Sequence, residues 1–128
     1  MAESKFERGL AVRREVLGRD YVDAALGRAT PFEAEFQEMV TEFCWGATWA
    51  RGVLNRQKRS ILNLGMLAAL GRLHEFELHF RAALVNNKVP VDELKEVLLQ
   101  ITAYCGVPAG VEVFRIARKV LAEEGVAS

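Results

Sequence analysis

The sequence predicts an all-α fold. Apolar residues recur at three- and four-residue spacing through most of the 128-residue chain, Gly, Pro and Asn punctuate that pattern, and no segment makes a convincing strand. Connections are short, with no internal repeat and no low-complexity linker. One compact domain over residues 1–128, of about six helices, is therefore expected.

The elements follow in order. Phe6, Leu10, Arg13 and Leu17, flanked by Val16, mark one side of a first helix that ends at Gly18. A short piece, Tyr21 to Leu26, stops at Gly27. Thr30-Pro31-Phe32-Glu33 reads as a start signal, with Thr30 as cap, Pro31 at the first helical position and Glu33 completing a capping box. Phe32, Phe36, Met39, Val40 and Phe43 then repeat at a period near 3.6. Asn55 can cap the next helix, whose Ile61–Leu70 stretch is apolar nearly all round and predicts burial on most sides. Leu73 to Asn86 follows, with Phe76, Phe80, Ala83 and Leu84 inward and Asn86-Asn87 as a left-handed stop. Pro90-Val91-Asp92-Glu93 opens a helix carrying Leu94, Val97, Leu98 and Ile101 to Gly106. The last begins at Pro108, with Val111, Phe114, Ala117, Val120 and Leu121 inward and Gly125 at its end.

Composition excludes several function classes. Seventeen basic and 17 acidic residues give zero formal net charge, hence no electrostatic footprint for nucleic acid and no polybasic membrane patch. No apolar run approaches transmembrane length, and MAESKFERGL has no signal-peptide core, so a soluble, cytoplasmic protein with reduced Cys44 and Cys105 is expected. The 51% hydrophobic fraction is high for so small a monomer. A layer of short helices cannot easily wrap the Ile61–Leu70 segment, which predicts a homo-oligomer.

Three constellations bear chemistry. Trp45 and Trp49, four apart, share a helix face just before the cations Arg51, Arg56, Lys58 and Arg59. Such a segment suits a flat carboxylate-bearing molecule, since guanidinium offers a rigid fork of donors to a carboxylate. Packed indoles with a solvated cationic rim are the other reading, and aromatic stripes usually mean packing. His74 and His79 are five apart, not the four of a zinc-protease pair, and no third ligand is evident, so no metal is expected. Glu75 and His79 do share a face, so the carboxylate can orient the imidazole, although a lone buried His is more often a hydrogen-bonded structural residue. Glu93, Glu96, Gln100 and Tyr104 form a polar stripe ending beside Cys105; burial against Val97-Leu98-Leu99 would raise the pKa of Glu96, whereas a solvated face would not.

FERGLAVRREVLG, FCWGATWARGVLNRQKRSILNLGMLAALG, EFELHFRAALVNN and ELKEVLLQITAYCGVPAG together resemble the 4-carboxymuconolactone decarboxylases, within the superfamily of alkylhydroperoxidase D-like proteins. The likeness runs from about Phe6 to Ala117 and is most specific at Trp45-Gly46-x-x-Trp49-x-Arg51, Glu75–Ala83 and Glu96–Pro108. Lys88 stands where the family commonly has Gly, and Gly65 interrupts the apolar helix.

The resemblance implies an all-α homohexamer that decarboxylates 4-carboxymuconolactone to 3-oxoadipate enol-lactone in protocatechuate breakdown. It needs no cofactor, because the lactone carbonyl, conjugated to the carbon that loses carbon dioxide, is the electron sink. It further implies Arg51, and secondarily Arg59, on the substrate carboxylates, with Trp45 and Trp49 walling a dry pocket. Protonated His79, held by Glu75, stabilises the dienolate oxygen or donates the proton; Glu96 is the alternative donor, with Tyr104 and Cys105 nearby. Two rival functions remain. A thiol peroxidase of the superfamily needs a Cys-x-x-Cys pair, and neither Thr102 nor Pro108 supplies a partner for Cys105. The other is a non-catalytic binding protein on the same fold.

Overall fold

A computed structural model describes residues 2–127. Among them every regular element is helical: α1 (Lys5–Leu17), α2 (Arg19–Arg28), α3 (Ala34–Val40), a π-helix (Thr41–Trp49), α4 (Arg56–Leu70), α5 (Leu73–Val85), α6 (Val91–Cys105) and α7 (Val107–Glu123). The all-α class is as expected, while the π-helix is an element that a 3.6-residue period does not announce. None of these helices is long and apolar enough to cross a membrane. The chain forms two compact units, Met1–Arg56 and Gln57–Ser128.

In the first unit α1 opens with a capping box that the sequence reading overlooked. The Glu7 amide donates to Ser4 Oγ at 3.0 Å, and the Ser4 amide returns to Glu7 Oε1 at 3.4 Å. The capping box expected at Thr30 does not form. There the Glu33 amide donates to the Thr30 backbone carbonyl at 2.9 Å, closing a turn, and α3 starts only at Ala34 without a side-chain cap. Gly18, at φ 96°, ends α1 and opens α2, a conformation that costs glycine little. Val12, Val16, Leu17 and Val22 are buried, but the aromatic face expected inward is not. Phe32, Phe36, Met39 and Phe43 are 96, 62, 67 and 69% exposed.

α1 and the π-helix touch backbone to backbone. A Cβ on Gly9 would lie 2.1 Å from the Thr41 carbonyl oxygen and 2.7 Å from the Gly46 nitrogen, and one on Gly46 would lie 2.4 Å from the Lys5 carbonyl oxygen. Only glycine permits that approach.

The second unit has a conventional apolar core of Leu64, Phe76, Phe80, Leu94, Leu98, Ile101, Val113, Ile116, Val120 and smaller neighbours. α6 and α7 meet where a Cβ on Gly110 would fall 2.3 Å from Thr102 Oγ1. Around this core three expectations need correction. Val111 points outward at 60% exposure; Val113 and Ile116 take the inward positions of α7. α4 is buried along one stripe, through Leu64 and Ala68, while Leu62, Met66 and Leu70 face out. The left-handed residue after α5 is Lys88 at φ 59°, because Asn86 stays in the right-handed region. Gln57 Nε2 straps that turn by donating to the Asn87 and Lys88 carbonyls, each at 3.0 Å.

Candidate functional site

The Trp–Arg segment belongs to the π-helix of the first unit and its exit. The Ala50 amide donates to the Trp45 carbonyl, five residues back, at 2.9 Å, and the Thr48 hydroxyl to the Phe43 carbonyl, also five back, at 3.2 Å. Trp45 and Trp49 are both buried and stack on each other, centroids 4.9 Å apart and planes inclined by 25°. The shared face read from their spacing is therefore real. Arg51 follows, exposed, its amide donating to the Thr48 carbonyl at 3.1 Å.

Beneath that segment lies a polar cluster that sequence reasoning missed. Arg13, on the inner side of α1, is buried; its Nη1 donates to Gln37 Oε1 at 3.1 Å and to Thr41 Oγ1 at 3.2 Å. Thr41, fully buried, donates its hydroxyl to the Gln37 carbonyl at 2.7 Å. Desolvation pushes the Arg13 guanidinium below its ordinary pKa, with Tyr21 and Cys44 acting the other way. The one available signal was Arg13 at an apolar position of the first helical stripe, between Leu10 and Leu17.

The remaining candidates lie in the second unit. His79, on α5, is largely shielded, and burial lowers its pKa from 6.5 to about 4 against the opposing pull of Glu75. The imidazole is therefore neutral at pH 7, which corrects the expectation of a protonated His79. Glu75 is exposed one turn before it, and Arg59 is half-buried on α4. On α6 the polar stripe is solvated: Glu96 is exposed, and Tyr104 is 83% exposed. Cys105 and Cys44 are both exposed free thiols. Nearby, Arg81 pairs with Glu123 and Glu124, and Lys119 with Glu77, tying α5 to the end of α7. Among the described residues no three His, Cys, Asp or Glu side chains gather to hold a metal ion.

The all-helical fold, the Trp-x-x-x-Trp-x-Arg segment and the shielded, neutral imidazole can be set beside known proteins. Residues 34–119 match the profile of the carboxymuconolactone decarboxylase family, and the chain belongs to that family. It is 39% identical over 125 residues to a 4-carboxymuconolactone decarboxylase of Acinetobacter baylyi, covering 98% of this chain and 92% of the relative. It is 40% identical over 116 residues to a nitrosuccinic acid decarboxylase of Metarhizium robertsii, covering 91% and 80%. A 44-residue match at 41% identity, to a 4-carboxymuconolactone decarboxylase of Pseudomonas putida, covers 34% of this chain and 92% of the relative.

Proposed function

We propose that this protein decarboxylates 4-carboxymuconolactone to 3-oxoadipate enol-lactone without a cofactor, in the cytoplasmic breakdown of protocatechuate. The observation that carries the reading is near-full-length identity of 39% to a 4-carboxymuconolactone decarboxylase. The chemistry asks little of the protein. The bond between the ring carbon and its carboxylate breaks, carbon dioxide leaves, and the electron pair moves through the ring double bond onto the lactone carbonyl oxygen. A proton added at the carbon next to that carbonyl completes the product.

Within this reading Arg51 and Arg59 take the carboxylates, since guanidinium matches carboxylate geometry, and the faces of Trp45 and Trp49 exclude water. A neutral His79 gives its N–H to the developing dienolate oxygen. A neutral imidazole suits that task because it polarises the oxygen without discharging its proton early. Glu75 orients the ring, and Glu96, on the helix that ends with Tyr104 and Cys105, is the alternative proton donor to His79. Residues 1–128 act as one functional domain in a homohexamer. The uncovered Phe32, Phe36, Met39 and Phe43 face and the Leu62, Met66 and Leu70 face support assembly, since monomers rarely leave such areas in water.

A second reading rests on the Metarhizium relative. Nitrosuccinic acid is also a dicarboxylate whose departing carboxylate sits beside an electron-withdrawing group, so the same demands on Arg51, Arg59 and His79 apply. Following each compound spectrophotometrically separates the two. Consumption of the lactone with at least a ~100-fold loss in Arg51→Ala and His79→Ala is expected. Peroxide consumption with a dithiol, or turnover of neither acid, would sink the proposal.

A further inference from the structure

Gly9 and Arg13 stand one turn apart on the same face of α1, and both meet the start of the π-helix. Gly9 presses on the Thr41 carbonyl oxygen and the Gly46 nitrogen, two atoms five residues apart, the pair that an i→i+5 ladder joins. Arg13 holds the Thr41 side chain at the residue where the α ladder gives way, and Thr41 in turn grips the Gln37 carbonyl at the last turn of α3.

Arg13 is an expensive residue to keep there. It forms no ion pair among the described residues, its two acceptors are neutral, and its Nε is buried without a hydrogen bond. A buried charge without a countercharge is poorly compensated, and an apolar side chain of similar length commonly does as well or better for stability. Stability alone therefore does not explain it. Register does: a π-helix carries one residue more per hydrogen-bonded turn than an α-helix. Were Thr41–Trp49 to relax to α geometry, every later residue would turn by about 100° about the axis. Trp45 and Trp49, four apart, would remain neighbours in either geometry, but the offset of one ring from the other would change, and Arg51, two residues beyond, would leave through another face.

We propose that Arg13, acting through Thr41 against the floor that Gly9 provides, is a positioning residue that holds the π register and thereby aims the Trp45–Trp49 stack and Arg51 at the substrate carboxylate. The link to substrate rests on the function proposed above; the link to register does not. Stacked indoles at 4.9 Å couple electronically and give a circular dichroism couplet in the strong far-ultraviolet indole band, whose shape depends on how one ring is offset from the other, so the register can be read without turnover.

The test compares Arg13→Met and Thr41→Val with Thr41→Ser, which keeps the hydroxyl. Arg13→Met and Thr41→Val should change the sign or amplitude of the couplet while keeping helicity, read from the amide I infrared band, and should raise KM for the lactone at least tenfold with a smaller change in kcat. Thr41→Ser should retain both properties. Should Arg13→Met fail to fold, Thr41→Val decides alone. A couplet unchanged in Arg13→Met and Thr41→Val overturns the proposal, and so does a changed couplet with unchanged KM. If the wild-type chain does not consume the lactone, the functional reading fails by itself and the couplet still decides whether Arg13 sets the register.

Discussion

The two units solve the problem of holding helices together in opposite ways. Gln57–Ser128 buries a contiguous set of Leu, Ile, Val and Phe side chains, and its ion pairs lie on the outside. Met1–Arg56 has a thinner apolar core, presses α1 on the π-helix through Gly9 and Gly46, and keeps an arginine inside. Apolar packing is tolerant of exchange so long as volume is kept. Backbone contact and a buried guanidinium are not, because each accepts a single geometry. The second unit is built for cohesion and the first for register.

The largest expected effect tests the cohesive half. Phe76, fully buried in the second core, should cost about 3–5 kcal/mol when changed to Ala, measured by urea unfolding. A loss below 1 kcal/mol would mean the second core is not what holds that unit.

Next comes pH. His79 has a folded pKa of about 4 against 6.5 when unfolded, so between those values the unfolded chain takes a proton that the native chain refuses. Stability should be complete above pH 6.5 and fall by about 3 kcal/mol as the pH drops toward 4. His79→Gln should flatten that slope in urea midpoints taken across the range; a slope that persists in the variant would assign it to other groups.

The register half is tested by a pair of glycines. Gly9→Ala should destabilise by about 1–3 kcal/mol or more, because the atoms it meets are backbone and cannot swing away. Gly65→Ala, in α4 with nothing within 4 Å, should stabilise by about 0.5–1 kcal/mol through helix propensity. Equal thermal shifts in the two would erase the distinction between the units.

The smallest effect is at Lys88, whose φ of 59° suits glycine. Lys88→Gly should gain about 0.5 kcal/mol, relief of left-handed strain slightly exceeding the added chain entropy. A loss measured by thermal melting would show that Gln57's hold on the Asn87 and Lys88 carbonyls depends on the lysine.

What the sequence revealed follows the same division. In the second unit helix periodicity marked Phe76, Phe80, Leu94, Leu98 and Val120 as core correctly, because one-sided burial leaves a 3.6-residue trace. The outward Phe32, Phe36, Met39 and Phe43 carry the same trace, and periodicity cannot say whether the surface meeting that face lies in the same chain. The π-helix left no sign, since one extra residue per turn hides in so short a run. At the candidate site, the spacing of Trp45 and Trp49 and of Glu75 and His79 was legible. The neutrality of His79 was not, since desolvation depends on what packs around the ring rather than on its neighbours in sequence. Arg13 was visible only as a cation in an apolar stripe.

The π-helix also bears on how the chain tolerates changes in length. A wide turn is one residue longer than the α-helical course between the same two ends. Removing a single residue between Cys44 and Thr48, Ala47 for example, would let the segment close toward α geometry, at the cost of leaving Trp45 and Trp49 three apart. Such a deletion would pass as harmless in any assay of helicity or expression. It would surface where the Trp45–Trp49 stack and the direction of Arg51 matter, so this stretch is where single-residue gain or loss can separate helix content from activity.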